Sequence, residues 1–162
     1  QKYDKGGKLA LSGNINEIIL EQAQELFLNR KNKEKRSYDI NDFDISFSRG
    51  LSLEDGAATL TKFTANIIGE AISLILKKEI FVKKILICGG GRKNNSLFEL
   101  IKANSSKNLI FFNSDDFELN GDFIESQAFA YLAIRAVLSL PISFPSTTGC
   151  NSPCSGGEII EI

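Results

Sequence analysis

Three consecutive glycines are the strongest candidate ligand-binding element in the sequence. Gly89, Gly90 and Gly91 follow a short apolar run at residues 85–88 and precede Asn94, which can cap a helix. Without a Cβ, the backbone can adopt a positive φ and approach a ligand closely, and a side chain at Gly90 would obstruct that ligand. The pattern favours contact with a nucleotide. A tight strand-to-helix turn that binds nothing explains the same residues and stays open as the alternative.

Two common phosphate-binding motifs do not fit this loop. A P-loop needs eight residues that end in Gly-Lys-Ser or Gly-Lys-Thr, and that spacing is absent. The dinucleotide fingerprint needs a final glycine at the position where this chain has Asn94. Neither class of nucleotide-binding loop is therefore predicted.

Glu125 is the candidate acid or base, because the chain has no histidine and acid-base chemistry must use carboxylates. It shares one face of a predicted helix with four apolar residues, Ala128, Phe129, Leu132 and Ala136. Burial of an unpaired charge there is costly, so the carboxylate should meet a polar partner or a ligand. The spacing from Asp122 to Glu125 is also that of a capping box, which would give both side chains a structural role. Both interpretations stay open.

A loop near the end of the chain, residues 144–157, offers hydroxyl groups and flexible backbone that could bind a phosphate or a sugar. An ordinary surface loop has the same composition. The chain has three cysteines, of which Cys150 and Cys154 lie in this loop and Cys88 lies elsewhere. Three cysteines this far apart are too few for a four-ligand zinc site or a disulfide framework. No metal site is predicted among these residues.

The elements that must position these groups begin with helices. An amphipathic helix is predicted over residues 14–29, where apolar residues recur every three or four positions. Ser52 begins a capping box for a long helix that should end near Lys77 and Lys78. Its predicted apolar stripe comprises Leu60, Phe63, Ile67, Ile68, Ala71, Ile72 and Ile75.

Strands and helices alternate in the second half of the chain. Residues 85–88 predict a strand buried on both faces, and residues 108–112 predict a second strand. A helix should begin after Asn94, with Asn94 or Asn95 as its cap, and another is predicted over residues 124–139. This order predicts an α/β fold with at least part of a parallel sheet.

Composition limits the class of partner. The 162 residues suit one globular domain, and 19 Lys and Arg against 20 Asp and Glu give a net charge of -1, which does not favour nucleic acid. No apolar stretch approaches the roughly 20 residues of a membrane span, so we expect a cytoplasmic protein and no membrane partner. The chain contains no methionine, and we expect it to be a piece of a longer protein.

Six segments, taken in order, resemble one family. They are residues 2–7 (Lys-Tyr-Asp-Lys-Gly-Gly), 35–43 (Lys-Arg-Ser-Tyr-Asp-Ile-Asn-Asp-Phe), 53–60 (Leu-Glu-Asp-Gly-Ala-Ala-Thr-Leu), 88–94 (Cys-Gly-Gly-Gly-Arg-Lys-Asn), 121–133 (Gly-Asp through Ala-Tyr-Leu-Ala) and 141–149. Together they are similar to the C-terminal half of the anhydro-N-acetylmuramic acid kinases, of the sugar kinase, Hsp70 and actin superfamily. The sequence departs from the family at Ile40, where Arg is usual, and at Ser126 and Gln127.

The resemblance implies a fold and a reaction. The fold would be the C-terminal lobe of an actin-like ATPase, with an RNase H-like mixed sheet flanked by helices, over residues 1–162. Gly89, Gly90, Gly91 and Asn94 would line the nucleotide side of the cleft, and Glu125 would reach the anhydro-sugar or the attacking water. ATP and Mg²⁺ are the implied cofactors, and an anhydro-amino-sugar is the implied substrate.

The N-terminal lobe of the family, with its phosphate loop and catalytic base, lies outside this sequence. We therefore expect the fragment alone to be inactive. Two alternatives stay open: another carbohydrate kinase of the same superfamily, or a non-catalytic nucleotide-binding module. The oligomeric state is also open, with a homodimer among the alternatives.

Overall fold

A computed structural model describes residues 3–29, 40–78, 81, 83–106 and 108–160. The chain divides into two compact units, Gln1–Asn113 and Ser114–Ile162. The helices of the first unit are α1 (Lys8–Ser12), α2 (Glu17–Leu28), α3 (Leu53–Lys78) and α4 (Asn95–Ala103), and its strands are β1 (Lys84–Ile87) and β2 (Ile110–Asn113). The second unit contains α5 (Ile124–Val137) and the short α6 (Pro145–Thr148). The basic run at residues 30–36 and most of the family-like segment at 35–43 lie outside the described residues.

Side-chain caps fix where the helices of the first unit begin. Asn16 Oδ1 accepts a hydrogen bond from the Ile19 N–H at 3.1 Å and starts α2, three residues after the predicted boundary. Ser52 Oγ accepts from the Asp55 N–H at 3.0 Å, which confirms one of the two bonds of the predicted capping box, and α3 ends at Lys78, near the predicted end. Local sequence therefore sets these boundaries.

The long helix α3 is the centre of the first unit and packs on two opposite faces. Phe63 and Ile67 contact a cluster with α2 that contains Leu20 and Ala23. Ala65, Ile68, Ile72 and Leu76 contact a second cluster. At 3.6 residues per turn these two stripes lie about half a turn apart around the helix. The prediction of one stripe was wrong in part, because it merged the two faces and included Ile75, which is exposed.

The second cluster joins α3 to α4 and to the sheet. It contains Ile101 of α4 with Ile85 of β1 and Phe111 of β2. A hydrogen bond between side chains also joins the end of α4 to α3, since Asn104 Nδ2 donates to Asn66 Oδ1 at 2.6 Å. The helix α4 is thereby held against α3 at both its apolar face and its C-terminal end.

The two strands are parallel, as predicted, with Lys84 opposite Ile110 and Ile87 opposite Asn113. The prediction that the first strand is buried on both faces was wrong. Its residues alternate between exposed and half-buried, and the Leu86 side chain remains 48% exposed. The second cluster covers only the face that carries Ile85, and this one-sided cover explains the alternation.

By length and composition, α3 is the one helix among the described residues that could cross a membrane. The expectation that no stretch reaches this level is therefore wrong for α3. Such a helix is weak evidence for a membrane span, since the core helix of a soluble protein passes the same test. Packing on two opposite faces accounts for the apolar composition of α3.

In the second unit, α5 begins differently from the prediction. Its N-cap is Phe123, no side chain caps it, and Glu125 is the second helical residue. The capping box of Asp122 with Glu125 is therefore wrong. A turn explains the shift, because the Phe123 N–H donates to the Asn120 carbonyl at 3.0 Å and keeps residue 123 outside the helix.

Candidate functional site

The triple-glycine loop leaves the carboxyl end of β1 and enters a short 3-10 turn, Gly90–Lys93, before α4. Gly89 has φ 78° and ψ 177°, a combination that is essentially restricted to glycine. The positive φ of this loop therefore lies at Gly89. Gly90 has no positive φ, so a substitution there carries no strain of that kind.

Arg92 stabilises this conformation from inside the loop. Its side chain is buried, with 5% of the residue exposed, and Nη1 donates to the Gly89 carbonyl at 2.9 Å. The Arg92 backbone N–H also donates to that carbonyl, at 3.3 Å. The guanidinium thus closes the loop on itself and fixes the peptide after Gly89. Arg92 was not among the predicted site residues, and its place directly after three glycines is the only sequence signal for it.

Gly90 faces open space. A Cβ built on Gly89 or on Gly90 would meet no protein atom within 4 Å, whereas one on Gly91 would make an ordinary contact with Leu97 at 3.7 Å. The absence of a side chain at Gly90 is therefore not required by packing within the chain. Space beside an ordered backbone is what a ligand that approaches the loop would use.

Asn94 has an assigned structural role, as the sequence predicted. Its Oδ1 accepts from the Leu97 N–H at 3.0 Å and caps α4. The cap uses Oδ1 as an acceptor, and the Nδ2 group is the donor that this side chain can offer to a ligand. The two interpretations of Asn94, helix cap and ligand contact, use different atoms and are compatible.

A second segment of the chain packs against this cap. Gly7 is buried at φ 75°, and a Cβ there would overlap Asn94 Oδ1 and lie 2.8 Å from the Ser96 Cβ. Asp4 holds the segment in place, because its carboxylate accepts from the Leu9 N–H at 2.8 Å and from the Ala10 N–H at 3.0 Å. This contact could not be predicted from the sequence, since the partners are far apart along the chain.

Glu125 lies in the second unit, and its side chain is exposed at the second position of α5. No residue of α5 is buried, and Phe129 on the same face is 65% exposed. Glu125 is therefore not a carboxylate buried in an apolar stripe, and that prediction was wrong. What remains is an exposed carboxylate in the first turn of a 14-residue helix.

The hydroxyl groups of the last loop are used locally. Thr147 Oγ1 and Thr148 Oγ1 both donate to the Phe144 carbonyl at 3.2 Å. These threonines can still accept a hydrogen bond, but their protons are engaged.

The two cysteines of the loop affect each other. Partial desolvation and, second, the neighbouring Cys150 thiol raise the pKa of Cys154, although the residue as a whole is exposed.

Within the part of the chain that the structure describes, no group of three or more His, Cys, Asp or Glu could hold a metal ion. The residues predicted to bind a nucleotide, Gly89 to Gly91 and Asn94, form one continuous loop of the first unit. Glu125 belongs to the second unit. The structure thus brings together four of the five predicted site residues.

Comparison with known proteins places this loop in a family. The sequence model described as anhydro-N-acetylmuramic acid kinase matches residues 1–161. A protein of that name from Pelagibacter ubique is 49% identical over 161 residues, which are 99% of this chain and 43% of the relative. Proteins of the same name from Zymomonas mobilis and Caulobacter vibrioides are 38% and 35% identical, over 97% and 99% of this chain and 41% and 42% of the relatives.

The chain spans less than half the length of these curated relatives. Within that span the match is nearly continuous from one end to the other, and it includes the glycine loop, its cap and the helix of Glu125. The chain therefore belongs to the anhydro-N-acetylmuramic acid kinase family.

Proposed function

We propose that this chain contributes the C-terminal lobe of an ATP-dependent kinase that acts on 1,6-anhydro-N-acetylmuramic acid. A water molecule adds to C1 and opens the 1,6-anhydro bond, and O6 takes the γ-phosphoryl group of ATP. The products are N-acetylmuramate 6-phosphate and ADP. The family membership supports the kinase class, and the finer steps of the reaction are part of the proposal.

The nucleotide is assigned to the triple-glycine loop. The observation that carries this assignment is the open space at Gly90, beside a backbone that the buried Arg92 holds in one conformation. An ordered backbone without side chains can contact an adenosine at van der Waals distance and needs no rearrangement on binding. Asn94 Nδ2 is the side-chain donor of the same loop, since the cap uses only Oδ1.

The anhydro-sugar, or the water that attacks it, is assigned to Glu125. An exposed carboxylate in the first turn of a helix can accept a hydrogen bond from a sugar hydroxyl or from water, and it can act as a base. The neighbouring apolar residues of α5, such as Phe129, offer a surface for the apolar side of a sugar ring.

The chain spans under half the length of its relatives, so the phosphate loop and the catalytic base of the family are proposed to come from polypeptide outside this sequence. An actin-like arrangement of lobes and a cytoplasmic location belong to the same proposal. Phosphoryl transfer commonly uses Mg²⁺. The described residues do not provide a cluster of cation ligands, so no step is assigned to Mg²⁺ through this chain.

Product analysis tests the proposed function. The full-length protein that contains this chain, supplied with ATP, Mg²⁺ and the anhydro-sugar, is expected to form N-acetylmuramate 6-phosphate and ADP in equal amounts. ADP without sugar phosphate would indicate an ATPase. Phosphorylation of other sugars at a higher kcat/KM would indicate a different carbohydrate kinase, and neither outcome would agree with the proposal.

A further inference from the structure

The contact between Gly7 and Asn94 is tighter than helix capping requires. A cap is complete within its own helix, because Asn94 Oδ1 and the Leu97 N–H are only three residues apart. An additional chain segment is nevertheless held against that amide so closely that a single methyl group on Gly7 would not fit. The contact adds no hydrogen bond to the cap. Its physical effect is to restrict where the rest of the Asn94 amide can lie.

A planar amide has one orientation once its oxygen is fixed, and two restraints act at Asn94 Oδ1. The Leu97 N–H selects Oδ1 over Nδ2, because a donor cannot pair with a donor. Gly7, on its side, blocks rotation of the amide towards the first segment. With both restraints, Nδ2 is held in one place without the entropy cost of ordering it when a ligand arrives.

The segment that presents Gly7 is itself fixed. The two oxygens of Asp4 accept from two successive backbone N–H groups, those of Leu9 and Ala10, at the start of α1. The Gly7 N–H also donates to the Asp4 carbonyl at 3.3 Å, and the turn passes through positive φ at both Gly6 and Gly7. This short turn is thus a built element and can act as a rigid stop.

We propose that Gly7, held by Asp4, is a positioning residue for nucleotide binding that acts through Asn94. The proposal rests on the assignment of the nucleotide to the glycine loop. It gives the first segment a role in the site: Gly7 is the wall that orients the side-chain amide of Asn94, and Asp4 holds Gly7 in place.

Gly6 provides a matched control. Gly6 and Gly7 have nearly the same φ, 72° and 75°, so alanine at either position carries a similar backbone strain. A Cβ on Gly6 meets nothing within 4 Å, whereas a Cβ on Gly7 collides with Asn94 and Ser96. The difference between Gly6→Ala and Gly7→Ala therefore isolates the contact with the cap from the strain of the turn.

The experiment is calorimetric titration of the full-length protein with adenylyl imidodiphosphate and, separately, with the anhydro-sugar. Gly7→Ala should raise the Kd for the nucleotide analogue about tenfold, or ~1.4 kcal/mol, and leave the Kd for the sugar within about twofold. Gly6→Ala should leave both Kd values within about twofold of the parent protein. Equal loss of nucleotide affinity in the two variants would overturn the proposal, because strain alone would then explain it.

A double-mutant cycle tests whether the effect passes through Asn94. Once Asn94→Ala has removed the amide, adding Gly7→Ala should weaken nucleotide binding by little more, since the two changes act on one group. Additive losses would contradict the proposal. If Gly7→Ala does not fold, Asp4→Ala, which releases the turn without a collision, replaces it in the same cycle with the same expectation.

Failure of the proposed function is separable from failure of this inference. If the parent protein does not bind the nucleotide analogue, the glycine loop is not a nucleotide site and both proposals are wrong. If the parent binds it and the Gly7→Ala and Asp4→Ala variants bind it equally well, only the positioning role is wrong.

Discussion

The Asp55 carboxylate accepts a hydrogen bond from the Asn14 backbone N–H at 2.7 Å, and this bond joins the chain after α1 to the first turn of α3. The Asn14 N–H, together with the Ser52 hydroxyl, lowers the pKa of Asp55. Close by, Gly13 lies against the Glu54 carbonyl, where a Cβ would overlap the backbone. The start of α3 is therefore bonded to a segment more than 40 residues earlier in the sequence.

Asp55→Asn should lower the free energy of unfolding at neutral pH. It should also make the free energy of unfolding fall less steeply as the pH is lowered. A carboxyl whose pKa is lower in the folded than in the unfolded state contributes stability above its unfolded pKa, about 3.9, and loses it as the pH falls through the folded value. The parent and the variant should therefore converge in strong acid. Urea unfolding between pH 7 and pH 2 measures this.

Asp44→Asn is the control for that experiment. Hydrogen bonds from Ser46 lower the pKa of Asp44 as well, but its partner is only two residues away. Asp44→Asn should give a pH dependence of the same sign without increasing hydrogen exchange at the Asn14 amide. A stability difference between Asp55→Asn and parent that does not change with pH would exclude the charge as the cause.

Gly90→Val should weaken nucleotide binding without lowering stability. A Cβ on Gly90 meets no protein atom within 4 Å, and Gly90 has no positive φ, so neither a Cβ collision nor the strain of a positive φ arises within the chain. Gly89→Val should instead lose ~1–3 kcal/mol of stability through its positive φ. Thermal melting and titration of both variants with the nucleotide analogue would separate these effects. Unchanged nucleotide affinity in Gly90→Val would leave the loop as a structural turn.

Glu125→Gln should lower the rate of sugar phosphorylation by roughly 10²- to 10⁴-fold, the usual contribution of a positioned acid or base. Because Glu125 is exposed and makes no cap, the loss of stability should stay within about 1 kcal/mol, which is the scale of its interaction with the helix end. Glu158→Gln is the control, an exposed carboxylate outside any helix. A Glu125→Gln variant that melts earlier but keeps full kcat would contradict a catalytic role.

The 162-residue chain, purified by itself, should form no N-acetylmuramate 6-phosphate. Phosphoryl transfer depends on positioned phosphate-binding groups and a base, and the proposal assigns these to polypeptide outside this sequence. The full-length relative from Pelagibacter ubique can serve as the positive control in the same assay. Product formed by the isolated chain, free of host enzyme, would show that the family's missing motifs are dispensable.

Local signals predicted well what local interactions decide. The caps at Ser52 and Asn94 use backbone groups three residues away; Ser52 is the predicted cap, and Asn94 is one of the two candidates, Asn94 and Asn95, that were predicted. The prediction that Asp122 caps α5 was wrong. A turn that begins at Asn120 and ends at Phe123 shifts the start of the helix to the next residue. A pattern of residue types does not reveal which of two neighbouring turns is the more stable.

Features that depend on distant partners could not be predicted in this way. The apolar residues of β1 predicted burial on both faces. Leu86 is half-exposed because the second cluster packs against only the opposite face of the strand, which carries Ile85. Likewise, Gly7 and Asn94 come into contact because α1 and α4 both pack against α3. The glycine loop could be proposed from its composition, but the wall that orients its cap required the fold.

The two-faced packing of α3 has a consequence for local unfolding. If α2 detaches, the side of α3 that carries Phe63 is exposed, but Ala65 and Ile72 remain covered by the second cluster. If α4 and the sheet detach, the reverse holds. Amide protons between Phe63 and Ile72 should therefore exchange with solvent only when both clusters open together, at the free energy of global unfolding. Those after Ile72, where Leu74 and Ile75 are exposed, should exchange by fraying of the helix end.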